Sequence, residues 1–156
     1  MTKQSVESFQ DLAQALNMPY VIDRWIGGTL TNFKVINNRV KRLEEMERQE
    51  KTGELEKYTK KERLMFVREM KKMQGRFDGL KKLTRIPDLV FVSSLKESAL
   101  PVREAKRMGV KVAAIANTDA NPDEADYVVP ANDRSKKSID LIIEIIKREL
   151  VEGAKS

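Results

Sequence analysis

Residues 89–116, LVFVSSLKESALPVREAKRMGVKVAAIA, decide the fold. Leu89-Val90-Phe91-Val92 and Val110-Lys111-Val112-Ala113-Ala114-Ile115-Ala116 are short apolar runs rich in β-branched residues, and both read as strands. Between them a helical stretch over residues 98–108 stops at Gly109, a residue suited to the left-handed end of a helix. Strand, helix and strand in this order make a βαβ unit, whose strands are parallel. Downstream, Tyr127-Val128-Val129 is a third short run after the loop 117–126. It feeds a last helix with the stripe Ile139, Ile142, Ile143, Ile146 and Leu150, for which Asp133 or Ser135 is the candidate cap. Upstream, Val6, Phe9, Ala13 and Leu16 mark an amphipathic helix leading into residues 19–25, which have strand composition. Alternating helix and strand predicts an α/β fold on a parallel sheet.

Residues 34–85 interrupt that alternation. Phe33, Ile36, Val40, Leu43 and Met46 recur at spacings of three and four, as do Leu64, Val67, Met70, Met73, Phe77 and Leu80, so each set lies on one stripe of a helix. Each stripe is narrow, the width of a seam between two helices. The pattern lapses over residues 49–59, where Thr52-Gly53 offers a turn. The economical arrangement is an antiparallel helical hairpin, a coiled coil, inserted between two strands. The α/β domain is then discontinuous, residues 1–33 and 86–156, with the hairpin at 34–85. The methionines serve as gap-fillers of the seam. Gly75 and Gly79 are expected to loosen or end the second helix, and Arg85-Ile86-Pro87 to mark the return to the domain.

Charge separates the two parts. The chain of 156 residues carries a net charge of +6, but residues 34–85 hold 17 lysines and arginines against 9 acids, while the remainder holds 13 against 15. A localised positive balance is the footprint of a polyanion partner, because each neutralised phosphate releases condensed counterions. The alternative is a solvated helical face. Lys41, Arg42, Arg68, Lys71 and Lys72 lie off the predicted seam, where phosphates can be met.

Composition also excludes. There is no cysteine and no histidine, which removes disulfides, thiolate metal sites and the commonest general base. No apolar run reaches the length of a bilayer span, and the N-terminal Met1-Thr2-Lys3-Gln4 leads into polar sequence, so no membrane partner and a cytosolic compartment are expected. Parallel sheets bind ligands beyond the carboxyl ends of their strands. Those ends, 24–28, Ser93-Ser94, Asn117-Thr118-Asp119 and Ala131-Asn132-Asp133, include neither type of glycine-rich phosphate loop. Ser93, Ser94 and Ser98 lack a histidine to activate them. Asp119, Asp123, Glu124, Asp126 and Asp133 read as helix caps and Asx turns rather than a metal cluster. No catalytic residue, metal or cofactor is assigned.

The run Arg24-Trp25-Ile26-Gly27-Gly28-Thr29-Leu30-Thr31-Asn32-Phe33 joins the body to the hairpin. Its glycine pair gives backbone freedom, and Thr29, Thr31 and Asn32 can each cap the following helix, so it reads as a hinge. This run resembles the RW-(L/I)-GGTLTNF signature of the bacterial-type small-subunit ribosomal protein two family, the S-two family. Ile86-Pro87-Asp88-Leu89-Val90-Phe91-Val92 is similar to the family's strand after its coiled-coil insertion, and Arg103-Glu104-Ala105 with Gly109-Val110 to its helix-to-strand passage. Asn121-Pro122-Asp123, Asp126-Tyr127-Val128-Val129-Pro130 and Asn132-Asp133-Arg134-Ser135 follow its C-terminal signature in order. Asn117 and Asn121 stand where the family has aspartates, and Ala131 where it has glycine. The family also carries a substantial portion ahead of Thr2-Lys3-Gln4, including a strand near mid-sheet. Without that strand, either residues 19–25 pair beside 89–92 or an apolar edge lies open.

The resemblance implies a truncated Rossmann/flavodoxin-like sandwich and a structural, non-catalytic ribosomal component in the cytoplasm. Its partners would be small-subunit rRNA and neighbouring small-subunit proteins, with protein S-one a candidate. Expected phosphate contacts are Arg24, Lys34, Arg39, Lys41, Arg42, Arg76, Lys81, Lys82 and Arg85, with Thr29 and Asn32 as hydrogen-bond donors and Lys136 and Lys137 as a second group. Two rival readings remain: a nucleotide-binding α/β enzyme with a ligand at Ser93, Asn117 and Asn132, and a protein-interaction adaptor using the hairpin.

Overall fold

The computed structural model describes residues 5–153; Met1-Thr2-Lys3-Gln4 lies outside the described residues. Its helices are α1 (Val6–Ala15), α2 (Phe33–Lys51), α3 (Lys60–Phe77), α4 (Ala99–Arg107) and α5 (Lys136–Gly153). Three strands, β1 (Leu89–Val92), β2 (Lys111–Ala116) and β3 (Tyr127–Pro130), form one parallel sheet in the order β1-β2-β3. Leu89 lies opposite Lys111 and Val92 opposite Ala114; Ala113 lies opposite Tyr127 and Ala116 opposite Pro130.

Successive strand residues point to opposite faces, which divides the body into two cores. On one face Val90 and Val92 of β1 and Val112, Ala114 and Ala116 of β2 meet Val102 and Ala105 of α4, together with Leu30 and Leu95. On the other, Phe91 and Ile115 meet Phe9 and Leu12 of α1 and Ile139 and Ile143 of α5. The Phe9 and Phe91 rings stack tilted at 4.9 Å. Polar contacts reinforce the α1 and α5 pairing, since Lys136 Nζ lies 2.5 Å from Glu7 and the Ser8 hydroxyl donates to Asp140. The βαβ unit read from residues 89–116 is present, and Gly109 ends α4 in the left-handed region at φ +70°.

Residues 19–25 are not a strand. The Tyr20 amide donates to the Gly79 carbonyl at 2.9 Å, and Val21 and Ile26 pack into the cluster of the hairpin. The segment is therefore a strap along the base of the arm. The edge of β1 away from β2 carries no strand among the described residues.

A third core lies in the arm, where Ile36, Val40, Leu43 and Met46 of α2 pack against Met70 and Phe77 of α3 and Leu80 beyond it. The seam on α3 differs from the sequence reading. Phe66, Met70, Met73 and Phe77 form it, whereas Leu64 is 51% exposed, two residues and about 200° round the helix from Phe66. The start of α3 is fixed by a capping box, with the Glu62 amide donating to Thr59 Oγ1 at 3.4 Å and the Thr59 amide to Glu62 at 2.9 Å. Gly75 does not break the helix, which continues to Phe77. Gly79 makes room for the strap. A Cβ there would lie 2.2 Å from the Tyr20 carbonyl oxygen, so only glycine permits the close approach.

Candidate nucleic-acid interface

The joint between body and arm is built on one carboxylate. Glu104 projects from α4 and is only 6% exposed. Its Oε1 accepts from the Gly28 amide at 2.8 Å and the Trp25 indole N–H at 3.3 Å. Its Oε2 accepts from the Leu30 and Thr31 amides at 3.0 and 3.3 Å and from the Thr31 hydroxyl at 3.4 Å. Burial alone would raise the carboxyl pKa, but the donors from Gly28, Leu30, Trp25 and Thr31 outweigh it and hold the group below its ordinary value. The run read as a flexible hinge is thus tied to α4 across 76 residues of sequence. Gly28 is still required as glycine, at φ +93°.

This clamp settles what the loop's backbone can do. A glycine pair before a helix invites the reading of a phosphate cradle, yet the amides of Gly28, Leu30 and Thr31 already surround an anion supplied by the protein itself. Thr29 is no outward donor: it is 1% exposed and its hydroxyl donates to the Ile26 carbonyl at 2.6 Å. None of the three candidate caps bonds α2 in the expected way. Asn32 occupies the cap position, and its side chain makes no cap hydrogen bond and stays exposed.

The arm presents most of the other expected contacts. Lys34, Arg39, Lys41 and Arg76, with Arg68, Lys71 and Lys72, are exposed and make no ion pair or hydrogen bond among the described residues. Arg42 faces Glu69 at 3.8 Å, a loose exposed pair. Lys81 is different. It bridges Glu47 at 2.8 Å and Asp78 at 2.6 Å with its side chain 26% exposed, while Glu47 also accepts from Gln74. Partial burial opposes its charge, but Asp78 and Glu47 more than restore it and raise its pKa. Lys81 is a bracket inside the arm. Lys82 donates to Asn17 at 2.5 Å and Arg85 to Asp88 at 3.0 Å, both on the surface. Arg24 and Lys137 are exposed without ion pairs among the described residues, and Lys136 is engaged with Glu7.

Arg39 and Arg76 come together with Gly27, Gly28 and Asn32 around an open cleft of about 220 Å³, whose apolar lining is Ile26, Val35, Ile36 and Phe77. It lies at the base of the arm, beside the clamped loop.

The carboxyl ends of the strands are closed by comparison. Ser94 donates to Asp133 at 2.6 Å, and Ser93, Ser94 and Asp133 are all buried. Asp119 is held by Lys96 at 2.8 Å and Arg134 at 3.3 Å, and its pKa is lowered chiefly by the Lys96 hydrogen bond. Asn121 accepts from the Asp123 amide in an Asx turn. Among the described residues no group of three or more histidines, cysteines or acids is placed to hold a metal. No helix there is long and apolar enough to cross a membrane.

Sequence reasoning misses Glu104. Its signal is its position, since it falls among Pro101, Val102 and Ala105 on the buried face of α4. Thr59-x-x-Glu62, the capping box of α3, is a second signal that passes unread.

The family model for ribosomal protein S2 matches residues 1–153. A parallel α/β body carrying an exposed cationic helical arm here falls within a family of ribosomal proteins. The chain belongs to the ribosomal protein S2 family. It is 39% identical over 151 residues to small ribosomal subunit protein uS2 of Chlorobaculum tepidum, covering 97% of this chain and 61% of that protein. The uS2 proteins of Chloroherpeton thalassium and Chlorobaculum parvum are 39% and 36% identical, again over 97% of this chain and 60% of theirs. The chain spans about three fifths of the length of the curated relatives it matches.

Proposed function

We propose that the chain is a structural, non-catalytic constituent of the small ribosomal subunit in the cytoplasm, binding small-subunit rRNA through its helical arm and the adjoining joint. In this reading residues 34–85 form an antiparallel coiled coil set into a Rossmann/flavodoxin-like body of residues 1–33 and 86–156. The phosphate contacts are Lys34, Arg39, Lys41, Arg42 and Arg76, with Arg24, Lys82 and Arg85 around the base and Lys137 and Lys136 on the body; Asn32 supplies a hydrogen bond. One observation supports it above all: most of the arm's cations are exposed without carboxylate partners among the described residues, as surface made for an external polyanion would be. Helical RNA is recognised by shape, phosphate and ribose contacts, which such a surface can supply without base readout. Sedimentation of tagged protein from lysate on a sucrose gradient tests the reading. Co-migration with small subunits is expected; recovery only at the top of the gradient contradicts it.

A protein contact on the same arm is favoured by a separate observation. Tyr58, Leu64 and Met65, toward the turn between α2 and α3, are 45%, 51% and 61% exposed. A neighbouring small-subunit protein, with protein S-one as candidate, fits this apolar surface. Such a partner should stay bound after nuclease treatment in a pull-down.

A further inference from the structure

The cleft at the base of the arm combines two surfaces that one simple ligand does not satisfy. Arg39 and Arg76 border it, and neither has an ion pair or hydrogen bond among the described residues. Two exposed cations without partners thus border one cleft of about 220 Å³, where an anion can meet both. The anion is not met by the loop's backbone, because the Gly28 amide is turned to Glu104. Apart from the two arginines and Asn32 the lining side chains are apolar, and Val35 is left 43% exposed. A bare phosphate answers the arginines and gains nothing from that lining.

An unstacked nucleotide answers both. Its phosphate takes the arginine charge, its base covers Val35 and stacks on a guanidinium plane, and the unbonded Asn32 amide can meet a base edge. The cleft is smaller than the roughly 300 Å³ at which pockets for drug-sized ligands begin, a size for one ring system. We propose that this cleft binds a single unpaired nucleotide of RNA, phosphate on Arg39 and Arg76 and base on Val35. The proposal rests on the RNA-binding reading and adds to it the kind of nucleotide this surface takes: one splayed out of a loop, bulge or end, where RNA bases are accessible.

The test titrates the full chain with each of the four ribonucleoside 5′-monophosphates and, separately, with inorganic phosphate, following backbone amide resonances. At least one nucleotide should shift Gly27, Gly28 and Val35 saturably and bind about fivefold or more tighter than inorganic phosphate, the step one stacked base contributes. Val35→Ser, at an exposed position, should keep the melting temperature and lose that preference. Arg39→Gln with Arg76→Gln should weaken both ligands. Equal binding of phosphate and every nucleotide overturns the proposal, as does the absence of shifts at these three residues with all four. Filter retention of small-subunit rRNA by the same protein separates the two readings. Retained rRNA with a silent cleft defeats this inference alone, and lost rRNA defeats the RNA-binding reading itself.

Discussion

The body and the arm carry similar numbers of ionisable side chains and differ in how many of the cations they pair. In the body, Lys96, Arg134, Lys111 and Lys136 each face a carboxylate, and the buried Glu104 is surrounded by donors from the chain itself. In the arm, Lys34, Arg39, Lys41, Arg68, Lys71, Lys72 and Arg76 have no such partner among the described residues. Paired surface charges contribute little to stability and little to the external field, whereas unpaired ones keep their full potential for a polyanion. Net charge therefore understates the contrast. The body pairs a larger share of its cations internally, and the arm leaves most of its own unpaired among the described residues.

The largest expected effect comes from breaking the body's internal closure at the joint. Glu104→Ala should destabilise the fold by about 3 kcal/mol, because it strands buried amides of the loop, and chemical denaturation measures it. The loop should then lose hydrogen-exchange protection at Gly28, Leu30 and Thr31. Acid sharpens the same point. Glu104 has a folded pKa below its ordinary 4.5, so its contribution is complete above that value and is lost as pH falls through the folded pKa. Glu104→Gln should flatten that part of the acid unfolding curve.

Next in size is Gly79→Ala. The new methyl would meet the Tyr20 carbonyl, forcing the strap off the arm at a cost of about 2 kcal/mol in a thermal melt. A smaller effect is expected inside the arm from Lys81→Met, about 1 kcal/mol, since Glu47 and Asp78 lose their shared cation while Gln74 still bonds Glu47. Smallest is Leu64→Glu, with a change in stability within about 0.5 kcal/mol, because the residue is outside the seam. If that substitution destabilised strongly, the seam assignment would be wrong.

Much of this is legible in the sequence, for physical reasons. Residues 89–116 carry short apolar runs and a glycine stop that leave few alternatives to a βαβ unit, and the charge excess of 34–85 is a count. The strap escapes such a reading because Tyr20, Val21 and Ile22 have strand composition, and composition is silent on whether apolar side chains pack in a sheet or against a helical arm. Glu104 escapes it because an acid in a helix ordinarily faces water. Only the fold shows that amides distant in sequence converge on it. Lys81 looks like its neighbour Lys82, and the difference depends on Glu47, which no local pattern reveals.

The arm's role is tested most directly by the salt dependence of binding to small-subunit rRNA. The chain should show a linear fall of log affinity with log salt, its slope about 0.7 to 0.9 per phosphate neutralised. Replacing Arg39, Lys41 and Arg76 by glutamine should reduce that slope by roughly 2 to 3, while replacing Lys96, Lys111 and Arg134 should leave it nearly unchanged. An equal loss from the two triple variants, or a slope indifferent to the arm, would contradict the account.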